Sequence, residues 1–318
     1  MSDRLTDRDG DDRDNGGLTQ PSAAHLAERG FTPDGPLALP LSEVERQRLV
    51  RDALDEDRAD NDITTLATIP SETQAHGALV ARRPGVVCGT ALAIEAFRQR
   101  DSSIVLRVDA PDGRSVGRGS TVLSITGSAS AMLSAERVAL NFVQRLSGIA
   151  TLTAQYVNAV RGTGASILDT RKTTPGWRKL EKYAVRCGGG MSHRADLGHA
   201  VLIKDNHLAA VDHNIALAVE RARAVAPRGT RVEVECEDLD DVSAALVAGA
   251  DIIMLDNMGL HDMREAVQAI GGRAVVEASG GVNLQTVCGI AQTGVDWISV
   301  GALTHSPPSL DLALDFDE

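Results

Sequence analysis

Six short apolar runs in the second half of the chain end in side chains that can bind anions or carry protons. The run at 166–172 delivers Asp169, Arg171 and Lys172, and the run at 200–206 delivers Lys204, Asp205 and Asn206. In the third, 231–236, Glu233 and Glu235 alternate with Val232, Val234 and Cys236. A strand turns successive side chains to opposite faces, so both carboxylates share a face, and a charge on a buried face needs a partner or a ligand. Asp256, Ser279 and Gly301 end the runs at 251–256, 274–279 and 297–301. Lys204, Glu235, Asp256, Ser279 and Gly301 follow one another at intervals of 31, 21, 23 and 22 residues, about one strand–helix unit each. Successive strand ends are where α/β barrels keep their chemistry. A satisfied core ion pair explains any one of these residues equally well. The whole set on one rim calls for a ligand.

That ligand should be anionic. Residues 171–204 hold eight Lys or Arg against Glu181 and Asp196, a net +6 inside a chain of net charge -12. Arg178, Lys179 and Lys182 suit a solvated basic face; Arg171, Lys172 and Lys204 lie at or beside apolar runs instead. Charge-assisted bonds from such cations contribute about 1.5–3 kcal/mol each, and several of them imply a substrate with more than one anionic group. Two glycine-bearing loops, Ser279-Gly280-Gly281 and Gly301 to Ser306, follow the last two runs. Backbone amides in such loops cradle phosphate. Glu235 and Asp256 can then hold Mg2+ against a diphosphate through oxygen and water ligands. No His/Cys spacing suggests zinc, and no GxGxxG or phosphate-loop lysine motif occurs. His199, His207 and His213 read as structural or surface residues.

The elements that must carry these groups are legible from the same pattern. After Gly164, apolar runs alternate with helical stretches near 214–225, 239–248, 261–270 and 283–292, which means right-handed βαβ units and a parallel sheet. About six units are visible against the eight of a closed barrel, so the expected fold is an incomplete α/β barrel. Residues 60–127 read instead as short β-rich runs broken by glycine, a small α/β domain with an antiparallel sheet. A long helix is expected from about Ser134 to Val160, and an earlier one starts at Ser42, where Ser42 and Glu45 have capping-box spacing. The expected division is an acidic, disordered leader over 1–40, a small α/β domain over 41–133, and the barrel over 134–306. With 43% hydrophobic and 3% aromatic residues, the core must be aliphatic. The acidic balance argues against wrapping nucleic acid. No run of 18 apolar residues or signal pattern is present, which reads as a cytoplasmic protein with no membrane partner. Cys88, Cys187, Cys236 and Cys288 share no CxxC spacing and read as buried reduced thiols.

The stretches DTRKTTPGWRKLEKYAVRCGGGMSHR (169–194), AVLIKDNH (200–207), VEVEC (232–236), IIMLDN (252–257), EASGG (277–281) and VDWISVGALTHS (295–306) resemble the quinolinate phosphoribosyltransferase family in order and spacing. The likeness spans roughly residues 42–318. It implies an N-terminal α/β sandwich over 41–133, joined by the tail 307–318 and packed on an incomplete barrel, and a homodimer with active sites at the subunit interface. It implies transfer of a phosphoribosyl group from its diphosphate to quinolinate with loss of CO2, giving nicotinate mononucleotide. Carried over by position, Arg171, His193, Arg194 and Lys204 match quinolinate-binding cations, and Lys172 faces both substrates. Arg137 matches an arginine that reaches into the neighbouring subunit's site. Glu235 and Asp256 match the acids near ribose and Mg2+, and Ser279, Gly280, Gly281, Gly301 and His305 match the phosphate loops. Asp196 and His199 stand where many relatives carry a glycine and an acid.

The implied chemistry is ribosyl transfer through a transition state with positive charge on the ribose, stabilised by Glu235 and Asp256, while the cations clamp both carboxylates of the ring. Lys172 is the expected proton donor or diphosphate contact. A sister enzyme acting on nicotinate needs fewer cations than Arg137, Arg171, Arg194 and Lys204 together. A Schiff-base aldolase using Lys172 or Lys204, and a non-catalytic metabolite-binding protein, are the readings from other classes. Borohydride trapping separates the first, and a missing strand-end charge would mark the second.

Overall fold

The computed structural model describes residues 37–317, so the acidic leader expected over 1–40 lies outside the described residues apart from 37–40. Helix α1 (Glu43–Glu56) opens on the expected capping box: the Ser42 hydroxyl accepts from the Glu45 amide at 3.2 Å, and the Glu45 carboxylate accepts from the Ser42 amide at 2.8 Å. A short helix α2 (Ile63–Thr68) follows, capped by Asp62. Then come β1 (Gln74–Ala81), β2 (Gly85–Val86), α3 (Thr90–Arg100), β3 (Val105–Val108), β4 (Ser115–Val116) and β5 (Thr121–Ser128). Strand β1 pairs antiparallel with β5, and β5 with β3, as the alternating glycine-broken runs predict.

Helix α4 (Ala129–Ala159) is the spine between the two halves. It starts five residues before the expected Ser134, because the Ser128 hydroxyl accepts from the Ala131 amide at 3.3 Å and caps it there. Val138, Phe142, Leu146 and Ile149 recur at helical spacing and are buried. One side packs on α3 and another on the barrel's first helix, α5 (Arg178–Cys187).

The barrel runs β6 (Ser166–Leu168), α5, β7 (Val201–Ile203), α6 (Asp205–Ala209), α7 (Ile215–Val225), β8 (Val232–Cys236), α8 (Leu239–Val247), β9 (Ile252–Asp256), α9 (Leu260–Ile270), β10 (Val275–Ser279), α10 (Val287–Ala291), β11 (Trp297–Ser299) and α11 (Ala302–His305). Every strand pair is parallel, in the order β6-β11-β10-β9-β8-β7. The sheet therefore curls with its first and second strands at the two free edges, an incomplete barrel open between β6 and β7. Met191 crosses that opening and bridges Leu168. Inside, Leu168, Ile252, Val275 and Trp297 form an apolar floor with Met191 against it. The chain then returns as β12 (Leu312–Phe316), antiparallel to β1, so its last residues complete a four-stranded sheet β12-β1-β5-β3 in the N-terminal half. Gln144 of α4 donates to the Leu312 carbonyl at 2.7 Å and ties this tail down.

Three expectations need correcting. The run at 166–172 is regular only to Leu168, because Asp169, Arg171 and Lys172 leave the sheet for the barrel mouth. The helix expected over 283–292 is regular only over Val287–Ala291, because the Asn283 side chain accepts from the amides of Gln285 and Thr286 and holds a turn. Cys88, Cys187 and Cys236 are buried thiols, but Cys288 is exposed: α10 buries Val287, Ile290 and Ala291, and position 288 faces away. Among the described residues no helix is long and apolar enough to cross a membrane.

Candidate active site

The carboxyl ends of the parallel strands surround a cleft of about 670 Å³. Its cationic end is built by three consecutive parts of the chain. Arg171 and Lys172 come from the loop after β6, His193 and Arg194 from the segment that crosses the opening, and Lys204 from the end of β7. Its other end is lined by Asp256, Asn257, Ser279, Gly280 and Gly281 after β9 and β10, with Glu235 of β8 between. The interior alternation of the strands explains the set. Ile252 and Val275 form part of the floor, and two or four residues further along the same faces come Met254, Asp256, Glu277 and Ser279.

Beneath the cations lies a buried polar layer. The Asp169 carboxylate is fully buried, pairs with Lys182, and accepts from the His193 amide at 2.9 Å. Lys182 also donates to the His193 carbonyl at 3.1 Å. Lys182, expected on a solvated basic face, is therefore a core residue. Its helix α5 is amphipathic and turns Lys182 inward with Glu181 and Val185, while Lys179 stays outside on Glu45. Burial raises the Asp169 carboxyl to about 6 against the pull of Lys182. The His193 ring sits over two more buried acids, with Nε2 at 3.2 Å from Glu233 and 3.3 Å from Glu277. Burial and then the Glu277 charge raise Glu233 to about 7. At the mouth, Lys204 pairs with Glu235.

A second network holds the loop that carries Arg171 and Lys172. Buried Glu181 accepts from the Thr174 amide at 3.0 Å and hydroxyl at 2.8 Å, and from Arg145 of α4 at 3.0 Å. Arg145 also donates to the Thr304 carbonyl, and the Thr304 hydroxyl donates to the Lys172 carbonyl, both at 2.8 Å. Trp177 stacks on Phe142 with ring centroids 5.4 Å apart. The loop is thus fastened to both α4 and α11.

At the far end the backbone dominates. Asn257 adopts a left-handed φ of 55°, and its side chain lies on Gly280, where a Cβ would come within 2.2 Å of Oδ1. Its Nδ2 donates to Asp256 at 2.7 Å. Gly280 and Gly281 have φ of 86° and 59°, a conformation that L side chains avoid. Gly301 is small for another reason: Lys172 Cδ would stand 3.0 Å from a Cβ there, and the His305 ring 3.3 Å.

Of the residues singled out in the sequence, Arg171, Lys172, His193, Arg194, Lys204, Glu235, Asp256, Ser279, Gly280 and Gly281 all line the one cleft. Gly301 and His305 adjoin it through Lys172. Arg137 does not line it; it is exposed on α4. His199 and His207 serve the backbone, accepting from the amides of Ala195 and Lys204. With Asp196, which accepts from the Gly198 amide, His199 closes the 195–199 loop on itself. Glu277 and Asn257 were not singled out. The signal for Glu277 is a lone charge in the otherwise apolar run AVVEAS. For Asn257 it is an Asn beside a strand end, one of the few residues that tolerate a left-handed backbone.

Comparison with known proteins agrees with this geometry. Residues 149–315 match the family model for the quinolinate phosphoribosyl transferase C-terminal domain, and residues 62–147 match that for the N-terminal domain. The chain belongs to this family. A nicotinate-nucleotide pyrophosphorylase [carboxylating] of Mycobacterium leprae is 45% identical over 274 residues, covering 84% of this chain and 95% of the relative. A probable enzyme of the same name from Bacillus subtilis is 39% identical, covering 86% of this chain and 94% of the relative. The solved nicotinate-nucleotide pyrophosphorylase of Francisella tularensis superposes with a TM-score of 0.83 at 37% identity, covering 89% of this chain and all of that one. The fold expected from the sequence, a sheet-containing N-terminal half and an incomplete parallel barrel, is the family's fold.

Proposed function

We propose that the chain transfers the phosphoribosyl group of 5-phosphoribosyl 1-diphosphate to the ring nitrogen of quinolinate, with loss of the 2-carboxylate as CO2. The products are nicotinate mononucleotide, diphosphate and CO2. The observation that carries this reading is the cation cluster. Arg171, His193, Arg194 and Lys204 converge on one end of a cleft, and the buried Nε–H of Arg171 has no acceptor in the protein. A buried guanidinium donor left over is costly unless a ligand takes it. A ring with two adjacent carboxylates offers acceptors to Arg171, Arg194 and Lys204 together, twice the number that a monocarboxylate offers. The match of both halves of the chain to the quinolinate phosphoribosyl transferase family models supports the same substrate.

The opposite end suits the phosphoribosyl donor. The loops at Ser279–Gly281 and Gly301–His305 take its 5'-phosphate, and Lys172 reaches from its loop across Gly301 to the same side. Glu235 between the two ends and Asp256 beside it at the end of β9 face the place where positive charge develops on the ribose as the C1–O bond breaks, and their carboxylates favour that charge. The pyridine nitrogen, held by the clamp, attacks C1 from a fixed direction. The alkylated ring is cationic at nitrogen and accepts the electrons released when CO2 leaves, and Lys172 is the nearest candidate to return a proton to C2.

Mg2+ fits the donor set. Asp256 and Glu235 offer carboxylate oxygens at neighbouring strand ends in the cleft, one touched by Asn257 and the other by Lys204. Bound directly or through water, Mg2+ supplies charge neutralisation for the departing diphosphate. Arg137, exposed on α4 and absent from the cleft of its own chain, suits a role in the cleft of a second copy within a homodimer.

The test is CO2 release from quinolinate labelled in its 2-carboxylate, with Mg2+ and phosphoribosyl diphosphate. Release that requires both substrates is expected. Diphosphate formation with nicotinate and none with quinolinate would reassign the substrate.

A further inference from the structure

Glu233 and Glu277 take no part in the chemistry proposed above, yet both are buried inside the barrel, under the ring of His193. They come from β8 and β10, on either side of β9, and reach the same ring nitrogen. The protein gives them few donors. Glu277 Oε1 accepts from the Ser299 hydroxyl at 2.5 Å, while Glu277 Oε2, Glu233 Oε1 and His193 Nε2 are all buried with no formed hydrogen bond, so the ring and the acids meet by close approach alone. Two carboxylates in this state, next to each other, are costly unless they act on something.

What they act on is the orientation of His193. Nδ1 of the ring accepts from the Arg194 amide at 2.8 Å, so the ring hydrogen sits on Nε2, the atom that faces both acids. A half-turn of the ring would exchange both nitrogens for carbons and lose every one of these contacts. The main chain of His193 is held as well, by Asp169 on its amide and Lys182 on its carbonyl. Ion binding between the three groups is the competing use, since they stand close enough to surround a cation. The Arg194 amide opposes it: a ring whose Nδ1 is an acceptor and whose Nε2 carries hydrogen has no lone pair left toward the acids.

Charge supplies the second half of the case. Burial, and after it the neighbouring Arg171, disfavour the charged form of Arg194, and Glu233 opposes both. Glu233 thus offsets the mutual repulsion of Arg171 and Arg194 before an anion arrives. Glu233 and Glu277 favour a hydrogen on the Nε2 that faces them, the same tautomer that the Arg194 amide selects. The groups on the ring are Glu233, Glu277 and the Arg194 amide; Ser299 reaches it only through Glu277, and Asp169 and Lys182 hold its main chain.

We propose that Glu277, with Glu233 as its partner and Ser299 as its anchor, is a positioning residue for the quinolinate end of the cleft, acting through the ring of His193. This deepens the function proposed above and rests on it. It assigns the acid in the EASGG stretch to the clamp, whereas its neighbours Ser279 and Gly280 belong to the phosphate end.

The test uses the full chain and the isosteric variant Glu277→Gln. Its first readout is the His193 ring in 15N–1H correlation spectra of the substrate-free protein. The wild type should show one form, with hydrogen on Nε2, and the variant a mixture or a shifted signal. Its second readout is steady-state kinetics with each substrate varied. The KM for quinolinate should rise about tenfold, and that for phosphoribosyl diphosphate should stay within about twofold. Because the effect passes through the ring, Glu277→Gln should add nothing to quinolinate KM in a His193→Ala background. Ser299→Ala, which loosens Glu277 without altering charge, should give the same changes at smaller size and serves if Glu277→Gln does not fold. An unchanged His193 spectrum together with an unchanged ratio of the two KM values overturns the proposal. A drop in thermal stability alone would mean a purely structural acid and overturns it too. A wild type that releases no CO2 would sink the functional reading instead, and the spectrum would still decide whether Glu277 orients the ring.

Discussion

At the β6–β7 end of the cleft the groups proposed to bind substrate are side chains, Arg171, His193, Arg194 and Lys204, standing on the buried residues Asp169, Lys182, Glu233 and Glu277. At the β9–β11 end the proposed phosphate contacts are backbone amides of the loops at Gly280, Gly281 and Gly301, where the Asn257 side chain lies on Gly280. The two solutions fail differently. A side-chain clamp concentrates like charges, so it needs counter-ions beneath it, and each counter-ion in turn needs a partner because it is buried. A backbone cradle carries no net charge and needs only that nothing fills the space where a Cβ would go. Substitutions under the clamp should therefore damage folding and quinolinate binding together, whereas substitutions in the loops should damage phosphoribosyl diphosphate binding alone.

The largest effect tests the counter-ions. Lys182→Ala leaves Asp169 buried without its cation, and a broken buried pair costs about 3–5 kcal/mol. The urea midpoint should fall accordingly, and the double change Lys182→Met with Asp169→Asn should recover much of the loss. Recovery of nothing would mean that the pair matters for packing and not for charge.

Next comes the clamp itself. Arg171→Ala removes charge-assisted bonds of about 1.5–3 kcal/mol each, so kcat/KM for quinolinate should drop on the order of 100-fold with little change in stability. Mixing this variant with Arg137→Ala tests the dimer at the same time. A mixed dimer holds one site with an intact Arg171 and an Arg137 from the other chain, so activity should return on mixing. Two inactive variants that stay inactive together would mean that Arg137 serves its own chain or no site.

A smaller effect belongs to the loops. Gly280→Ala puts a side chain on a φ of 86° with its Cβ within 2.2 Å of the Asn257 side chain. Left-handed backbone costs about 1–2 kcal/mol for an L residue, so KM for phosphoribosyl diphosphate should rise about tenfold while quinolinate binding is kept. An equal loss for both substrates would erase the distinction between the two ends.

A change in pH probes the same buried acid, Asp169, without a substitution. The Asp169 carboxyl titrates at about 6 in the folded chain, above its unfolded value of about 3.9. The folded state therefore binds the proton more tightly, so this stabilisation is complete below about pH 4 and is lost as pH rises through about 6. The difference is on the order of 3 kcal/mol. Urea titrations of wild type and Asp169→Asn should differ in slope across that window, and parallel curves would mean that Asp169 is charged in both states.

Much of this was legible from residue order. Parallel strand–helix units follow from apolar runs spaced about one unit apart, and the anion site follows from eight cations against two acids between 171 and 204. The glycine loops were legible too, because a phosphate cradle is local: its amides come from consecutive residues. The counter-ions were not. Lys182 has the same composition around it as Lys179, and only the face of α5 separates a buried partner of Asp169 from an exposed partner of Glu45. Glu277 showed as one acid in an apolar run, with no sign that its target was His193, on another element far away in the chain.

The sequence by itself determined which elements form, which residue types reach the barrel mouth, and the family to which their order belongs, since periodicity and motif spacing act over a few to about thirty residues. Only the tertiary structure decided which charge meets which. It also put the barrel's opening between its first and second strands. Those outcomes depend on contacts between distant segments, where a buried ion takes whichever partner packing brings within reach.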